Sequence, residues 1–528
     1  MKWIPSLIAA VAAVTATATA ASAIDFNLKG QWNMGFGVAD TKFIKRTRDA
    51  QGSHKYSNSD KFAARQRVLI QMDAVASESL SGSLMFHIGP QQWGNAGQGG
   101  ALGADGKMVK VRQAYIDWAI PDTTVKTRMG IQNFALPYAA GGSAVFDLRA
   151  AAVNTHIDFN ENVGLTALWF RPFNDNYDPV NNAEANGRDG ANYLDNMDLF
   201  ALMLPMNFSD VSVTPWVMYG IMGRNTVNWD DYRTTNFVDG APAVTLTPFL
   251  NALGGGGGLN LTGNNYGHTS RTYANMFWAG LPVKVKTFDP WNIEFDVNYG
   301  YVEGIGRYDV TDNRRVNLNW TDQVKRANTK RSGWLVKALV EYKLDWGVPG
   351  IFAWYASGDD GNVKNGSERM PSVAGAGNFT SFVGDGNLAW GTVTKGNSYD
   401  WNMSYAGTWG VGLQLRDMSF IDDLEHTFRV ALWGGTNSPS MVRYFNSSSG
   451  WNNSDVYGAD GPYLTTHDNL LEFNLVNSYK MYENLELNLE LGYVVNMINK
   501  GTWDRRWMND SYQKQDAWKA QLIFAYTF

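Results

Sequence analysis

From Ile24 onward the chain repeats one pattern, short runs in which apolar and polar residues alternate. In the run 516–528, Trp518, Ala520, Leu522, Phe524, Tyr526 and Phe528 share one side of an extended chain. Lys519, Gln521, Ile523, Ala525 and Thr527 share the other. The run before it sets Leu485, Leu487, Leu489, Leu491, Tyr493 and Val495 against Glu486, Asn488 and Glu490. A helix would scatter those leucines around its circumference, so a period of two selects strands. One greasy and one wet face on strand after strand fits a barrel that meets hydrocarbon outside and water inside.

The alternation places strands near 26–38, 62–74, 80–88, 108–120, 124–132, 152–159, 163–173, 196–208 and 211–222. It continues near 271–286, 291–302, 332–344, 350–357, 405–415, 424–434, 469–480, 484–497 and 516–528. That makes about eighteen, or about sixteen if 152–159 and 350–357 are loop; an even number returns both ends to one side. Without 152–159, the long polar segment 174–194 would fall among the short turns. In 108–120 the phase slips, because Ile116, Trp118 and Ile120 would otherwise face inward, and a bulge near Gln113 repairs it. The fold class is therefore all-β: a transmembrane antiparallel β-barrel of 16–18 strands, 18 preferred, with short periplasmic turns and long extracellular loops. No plug domain is expected.

Composition narrows this further. A mean hydropathy of −0.30 is too polar for a bundle of membrane helices. With 21 Trp and 24 Tyr the chain can furnish two interfacial girdles, although a secreted carbohydrate-binding β protein would share that richness. Lys2, an apolar run through Val14 and Ala21-Ser22-Ala23 read as a secretory signal peptide over residues 1–23, leaving one barrel domain over 24–528. There is no cysteine, hence neither a disulfide nor a thiolate metal site. The net charge of −6 gives no support to a nucleic-acid partner. No histidine pair has ligand spacing, so neither a metal nor a cofactor is expected. The acidic stretches Asp359-Asp360 and 455–460 lack calcium-ligand spacing. Asn154 and His156 face the same way, which leaves a barrel phospholipase as an alternative, but no Gly-x-Ser-x-Gly elbow accompanies them.

Local motifs carry a resemblance. RQAYIDW (Arg112–Trp118) followed by RMGIQNFALP (Arg128–Pro137) is similar to the segment of general porins that precedes their constriction loop. SGWLVKALVEYKLDWGVPG (Ser332–Gly350) and ASGDDG (Ala356–Gly361) look most like the homotrimeric porins of sulfate-reducing bacteria. The closing Phe528 resembles the assembly signal of Gram-negative outer-membrane barrels. This likeness to trimeric porins implies a site in the Gram-negative outer membrane, contact with its lipid and lipopolysaccharide, and homotrimeric assembly. It also implies passive diffusion of small hydrophilic solutes and ions, with no enzymatic step. In such porins the loop between the fifth and sixth strands enters the pore. Here that loop is residues 133–150, with Phe134, Tyr138, Asp147 and Arg149 as constriction residues.

The inward positions add charge. Arg65, Arg67, Lys110, Arg112, Lys126 and Arg128 form a basic wall on the early strands, and Glu294, Asp296 and Glu341 an acidic one on later strands. Opposed walls create a transverse field that sorts solutes by charge. Inward Trp216, Trp354 and Trp433 make a sugar-selective channel the variant reading.

Overall fold

The computed structural model describes residues 24–40, 44–46, 61–103, 109–174, 196–223, 268–269, 273–304, 306–312, 324–373, 379, 405–444, 463–502 and 512–528. The leader 1–23, the glycine run 254–258, the acidic stretch 455–460 and most of 174–194 lie outside the described residues.

The strands are β1 (Asp25–Asp40), β2 (Lys61–Ser77), β3 (Leu80–Gln92), β4 (Val109–Ala119), β5 (Val125–Ala135) and β6 (Asp147–Asp158). Then come β7 (Gly164–Asn174), β8 (Asn196–Met203, resuming as Met206–Phe208) and β9 (Val211–Val213, resuming as Trp216–Gly223). β10 (Tyr273–Val285), β11 (Trp291–Val302), β12 (Arg331–Tyr342) and β13 (Val348–Ala356) follow. The circuit ends with β14 (Thr408–Ile421), β15 (Leu424–Gly435), β16 (Asn469–Tyr482), β17 (Leu485–Met497) and β18 (Ala517–Thr527).

The sheet has 20 hydrogen-bonded segments; two of them continue β8 and β9 beyond short gaps at Pro205 and Pro215, which leaves eighteen strands. Proline has no N–H to give the ladder, so each strand breaks there and resumes. Every strand runs antiparallel to its neighbours, and β1 pairs with β18 from Gln31↔Thr527 to Asp40↔Trp518, closing the barrel. Short turns such as 78–79, 209–210 and 483–484 gather at one end, and the long connections at the other.

The alternation anticipated from the sequence holds on the outside. Leu28, Phe62, Leu413 and Ile351 are more than half exposed there, and the cross-strand pairs Trp32↔Val68 and Met34↔Phe524 keep apolar residues on one face. In water this surface would be prohibitive; against hydrocarbon it is the stable arrangement. Among the described residues no helix is long and apolar enough to cross a membrane. The slip in β4 is real and lies one residue from its expected place. Met85 pairs with Gln113 and Phe86 with Val111, so Arg112 is the extra residue.

The inner face departs from alternation on β8–β10. Met197, Leu199, Ala201, Trp216, Met218, Met222, Ala274, Met276 and Trp278 all point inward and are buried. These strands are apolar on both sides, which is stable only if something covers the inside.

Candidate pore constriction

The cover is the loop between β5 and β6. Strand pairing runs further than the alternation suggested, to Ala135↔Asp147, so the loop is residues 136–146 and not 133–150. Phe134 is therefore near the end of β5, while Asp147 and Arg149 lie on β6; of the four expected constriction residues only Tyr138 is in the loop. Leu136, Ala139, Ala144, Val145 and Phe146 are at most 2% exposed, so the loop has folded into the barrel. Phe134 stacks on Phe146 at 4.6 Å and meets Phe170 of β7 edge-on at 5.1 Å, which pins the loop base.

The loop crosses to the far wall and is held there by polar contacts. The Trp216 indole of β9 donates to Pro137 O at 3.0 Å. On β11, Glu294 accepts the Ala140 N–H at 2.7 Å and Asp296 the Ala139 N–H at 3.4 Å. Lys337 of β12 donates to Gly142 O at 2.5 Å and pairs with Asp296 at 3.1 Å, both side chains fully buried. Ala140, Gly141 and Gly142 have φ of 52°, 87° and 83°, a left-handed run that aims successive carbonyls at Tyr405 and Lys337. Small residues with positive φ are what this crossing requires.

A second inward loop packs on the first. It joins β13 to β14, and Val373 N–H bonds Val145 O at 2.9 Å. Arg331, fully buried at the start of β12, donates to Arg369 O and Met370 O, each at 2.9 Å. Trp278 donates to Pro371 O at 2.9 Å. Phe379 stacks on Phe352 at 4.7 Å and on Trp354 at 5.6 Å. Within this loop Glu368 is half-buried beside Asp359 and Asp360, and burial chiefly, then those charges, push its carboxyl up to about 7.

The acidic wall and the tryptophans thus point inward, as the alternation required, but only Glu294 keeps part of its surface; Asp296, Glu341 and the tryptophans are buried. Asp296 is 0% and Glu341 3% exposed; Glu341 is bound by Arg416, Gln414 and Asn292, and Glu294 by the loop backbone. Trp216, Trp354 and Trp433 are buried and donate to Pro137 O, Thr408 Oγ1 and Glu472. They are loop and wall anchors, so no sugar track runs over their faces. The inward apolar run of β9, Trp216–Gly223, was the available sign that this wall is covered.

The basic wall is different. Arg67 and Arg112 are half-buried and Lys110 and Lys126 exposed on the inner side of β2–β5, away from the latch, and Arg65 is buried; Arg149, half-buried on β6, stands opposite Asn133 in the ladder with Asp147 as a charged neighbour. Arg128 forms two bonds to Asp117, at 2.6 and 2.8 Å, and stacks on Tyr115 at 4.1 Å, which neutralises it. Lys126 stands 3.9 Å from Asp158. The His156 ring is held by Thr166 and Asp158, each at 2.8 Å, which gives the phospholipase reading no nucleophilic serine. Among the described residues no group of three or more metal-binding side chains occurs.

A closed eighteen-strand barrel with an apolar outer belt and two inward loops around a basic inner strip is the class that these features define. No protein-family model matches the chain, and no curated protein matches it. Solved structures align over nearly its whole length at low identity. OccK11 (OpdR) of Pseudomonas aeruginosa is 11% identical with a TM-score of 0.43, covering 95% of this chain and 96% of its own. OccK2 (OpdF) of the same organism, in complex with glucuronate, is 9% identical with a TM-score of 0.46, covering 96% and 98%. OccAB3 of Acinetobacter baumannii is 10% identical with a TM-score of 0.46, covering 96% and 99%.

Proposed function

We propose that the chain is an outer-membrane porin, a water-filled channel for passive diffusion of small hydrophilic solutes and ions, with a preference for anions. One observation carries this: on β2–β6 the basic side chains Arg65, Arg67, Lys110, Arg112, Lys126, Arg128 and Arg149 outnumber the acidic Asp73, Asp117, Asp147 and Asp158, while Asp296 and Glu341 opposite are buried and Glu294 holds the loop backbone. A water path bounded on one side by Arg67, Lys110 and Arg112 concentrates anions and repels cations. The outward belt of large apolar side chains supports a lipid setting and argues against a secreted soluble carbohydrate binder, in which those side chains would face water. Homotrimeric assembly enters the proposal from the motif resemblance, and native mass spectrometry in detergent tests it.

The channel itself is tested in a planar lipid film under a potassium chloride gradient. Discrete conductance steps whose reversal potential lies on the chloride side are the expected result. Protein that stays soluble without detergent, or opens no steps, would remove the proposal.

A further inference from the structure

The second inward loop crosses the wall along one row of the ladder. Trp278 of β10 pairs with Gly300 of β11, and Gly300 pairs with Gly333 of β12, so the three stand side by side on neighbouring strands. All three face inward and are buried. The loop reaches the row from β12, where Ser367 bridges to Arg331 and its carbonyl accepts the Ser332 N–H at 2.9 Å. It then passes over Gly333 and Gly300 to Trp278, whose indole holds Pro371 O. Two residues later Val373 N–H bonds Val145 O of the first loop.

The missing side chains are what let the loop lie so close. A Cβ on Gly333 would strike Glu368 O and stand 2.5 Å from Met370 N, both backbone atoms that no rotamer change can move. A Cβ on Gly300 would stand 2.8 Å from Pro371 Cγ and from the Trp278 indole. Neither glycine has a positive φ, so backbone freedom does not account for them. Glycine inside a strand gives up packing and entropy, and close approach of another backbone is a reason to keep it there. Arg331, on the same face two positions before Gly333, fixes the same segment through Arg369 O and Met370 O.

We propose that the row Trp278–Gly300–Gly333 sets the size limit of the channel, by recessing segment 368–371 into the wall and out of the lumen. The proposal rests on the channel reading above and adds the residues that fix its aperture. Ordinary contact between carbon atoms is about 3.5–4.0 Å. A Cβ at 2.8 Å therefore lifts the segment by about 1 Å. The wall lies behind the segment, so the lift is toward the lumen, and the Val373–Val145 bond passes it to the first loop. The passage narrows with no change of charge.

The test records single-channel conductance, and the longest neutral polyethylene glycol that still enters, for Gly300→Ala and Gly333→Ala. Conductance should fall about twofold and the glycol limit move to shorter chains, since passage depends on the narrowest diameter. The reversal potential in a potassium chloride gradient should stay at its wild-type value. Pro371→Ala removes the Cγ that the new methyl meets, and should restore part of the conductance lost in Gly300→Ala. Gly164→Ala controls for crowding alone: its Cβ would come equally close, 2.8 Å, to His156 Cε1 near the turn end, and conductance should not change. Conductance unchanged or raised in both row variants, or lowered equally by Gly164→Ala, would overturn the proposal while leaving the channel intact. If Gly333→Ala gives no folded barrel, Gly300→Ala with and without Pro371→Ala decides it. Absence of conductance steps from the wild-type protein would instead remove the channel reading, and the size limit with it.

Discussion

Gly30 and Phe528 exchange two backbone hydrogen bonds, Gly30 N–H to Phe528 O at 2.8 Å and Phe528 N–H to Gly30 O at 3.1 Å. The Phe528 ring also lies where a Cβ on residue 30 would stand, 2.3 Å from its Cζ atom. The seam between β1 and β18 is thus keyed by one ring in one glycine slot. Gly30→Val should cost about 1–3 kcal/mol by overpacking and lower the yield of heat-modifiable, folded barrel on gels. Wild-type yield from that variant would mean the slot does not control closure.

Lys337 and Asp296 hold the crossing loop from inside the wall. Lys337→Met leaves Asp296 buried without its cation, at a cost of about 3–5 kcal/mol. Loosening of loop 136–146 should appear as larger and noisier single-channel conductance. The double variant Lys337→Met/Asp296→Asn should be quieter than the single one. Identical traces from wild type and single variant would separate the pair from the constriction.

Arg128 and Asp117 cancel each other, whereas Arg112 faces His87. Arg128→Gln with Asp117→Asn keeps the net charge and should leave the reversal potential in a salt gradient unchanged. Arg112→Gln should move it toward cations. A larger shift from the neutral double variant would place the selectivity nearer the turn end.

Glu368 binds its proton more tightly in the folded loop than in the open chain, with a folded value of about 7 against 4.5. The stabilisation it gives the β13–β14 loop is therefore complete below pH about 4.5 and is lost as pH rises through about 7. Hydrogen exchange of residues 357–373, corrected for intrinsic rate, should accelerate between pH 5 and pH 8 (a window of roughly this width follows from the two values). Glu368→Gln should flatten that dependence; a slope unchanged by the substitution would assign it to another group.

The strands were legible because a period of two is a local property, visible in Leu485–Val495 or Trp518–Phe528 without knowing any neighbour. The bulge at Arg112 was legible for the same reason, as a loss of phase. The start of β6 was not, since Leu148, Ala150, Ala151 and Ala152 do not alternate with polar residues and only pairing with β5 extends it to Asp147. The reversal of the acidic wall from lining to latch was equally hidden. That Asp296 and Glu294 face inward follows from parity; that Ala139 and Ala140 arrive from 150 residues away to cap them does not. A wholly apolar strand such as Trp216–Gly223 hints that an inner face is covered, but it does not say by what.

The methionine-lined interior of β8–β10 has a bearing on how the molecule comes to be built. Were loop 136–146 to swing clear of a finished cylinder, that greasy patch would be left facing the aqueous passage. The inserted segment is consequently as much a part of the wall as the strands are. Throughput can be adjusted by side chains at its edge and on the basic strip, but withdrawing it wholesale would dismantle the cylinder's own lining.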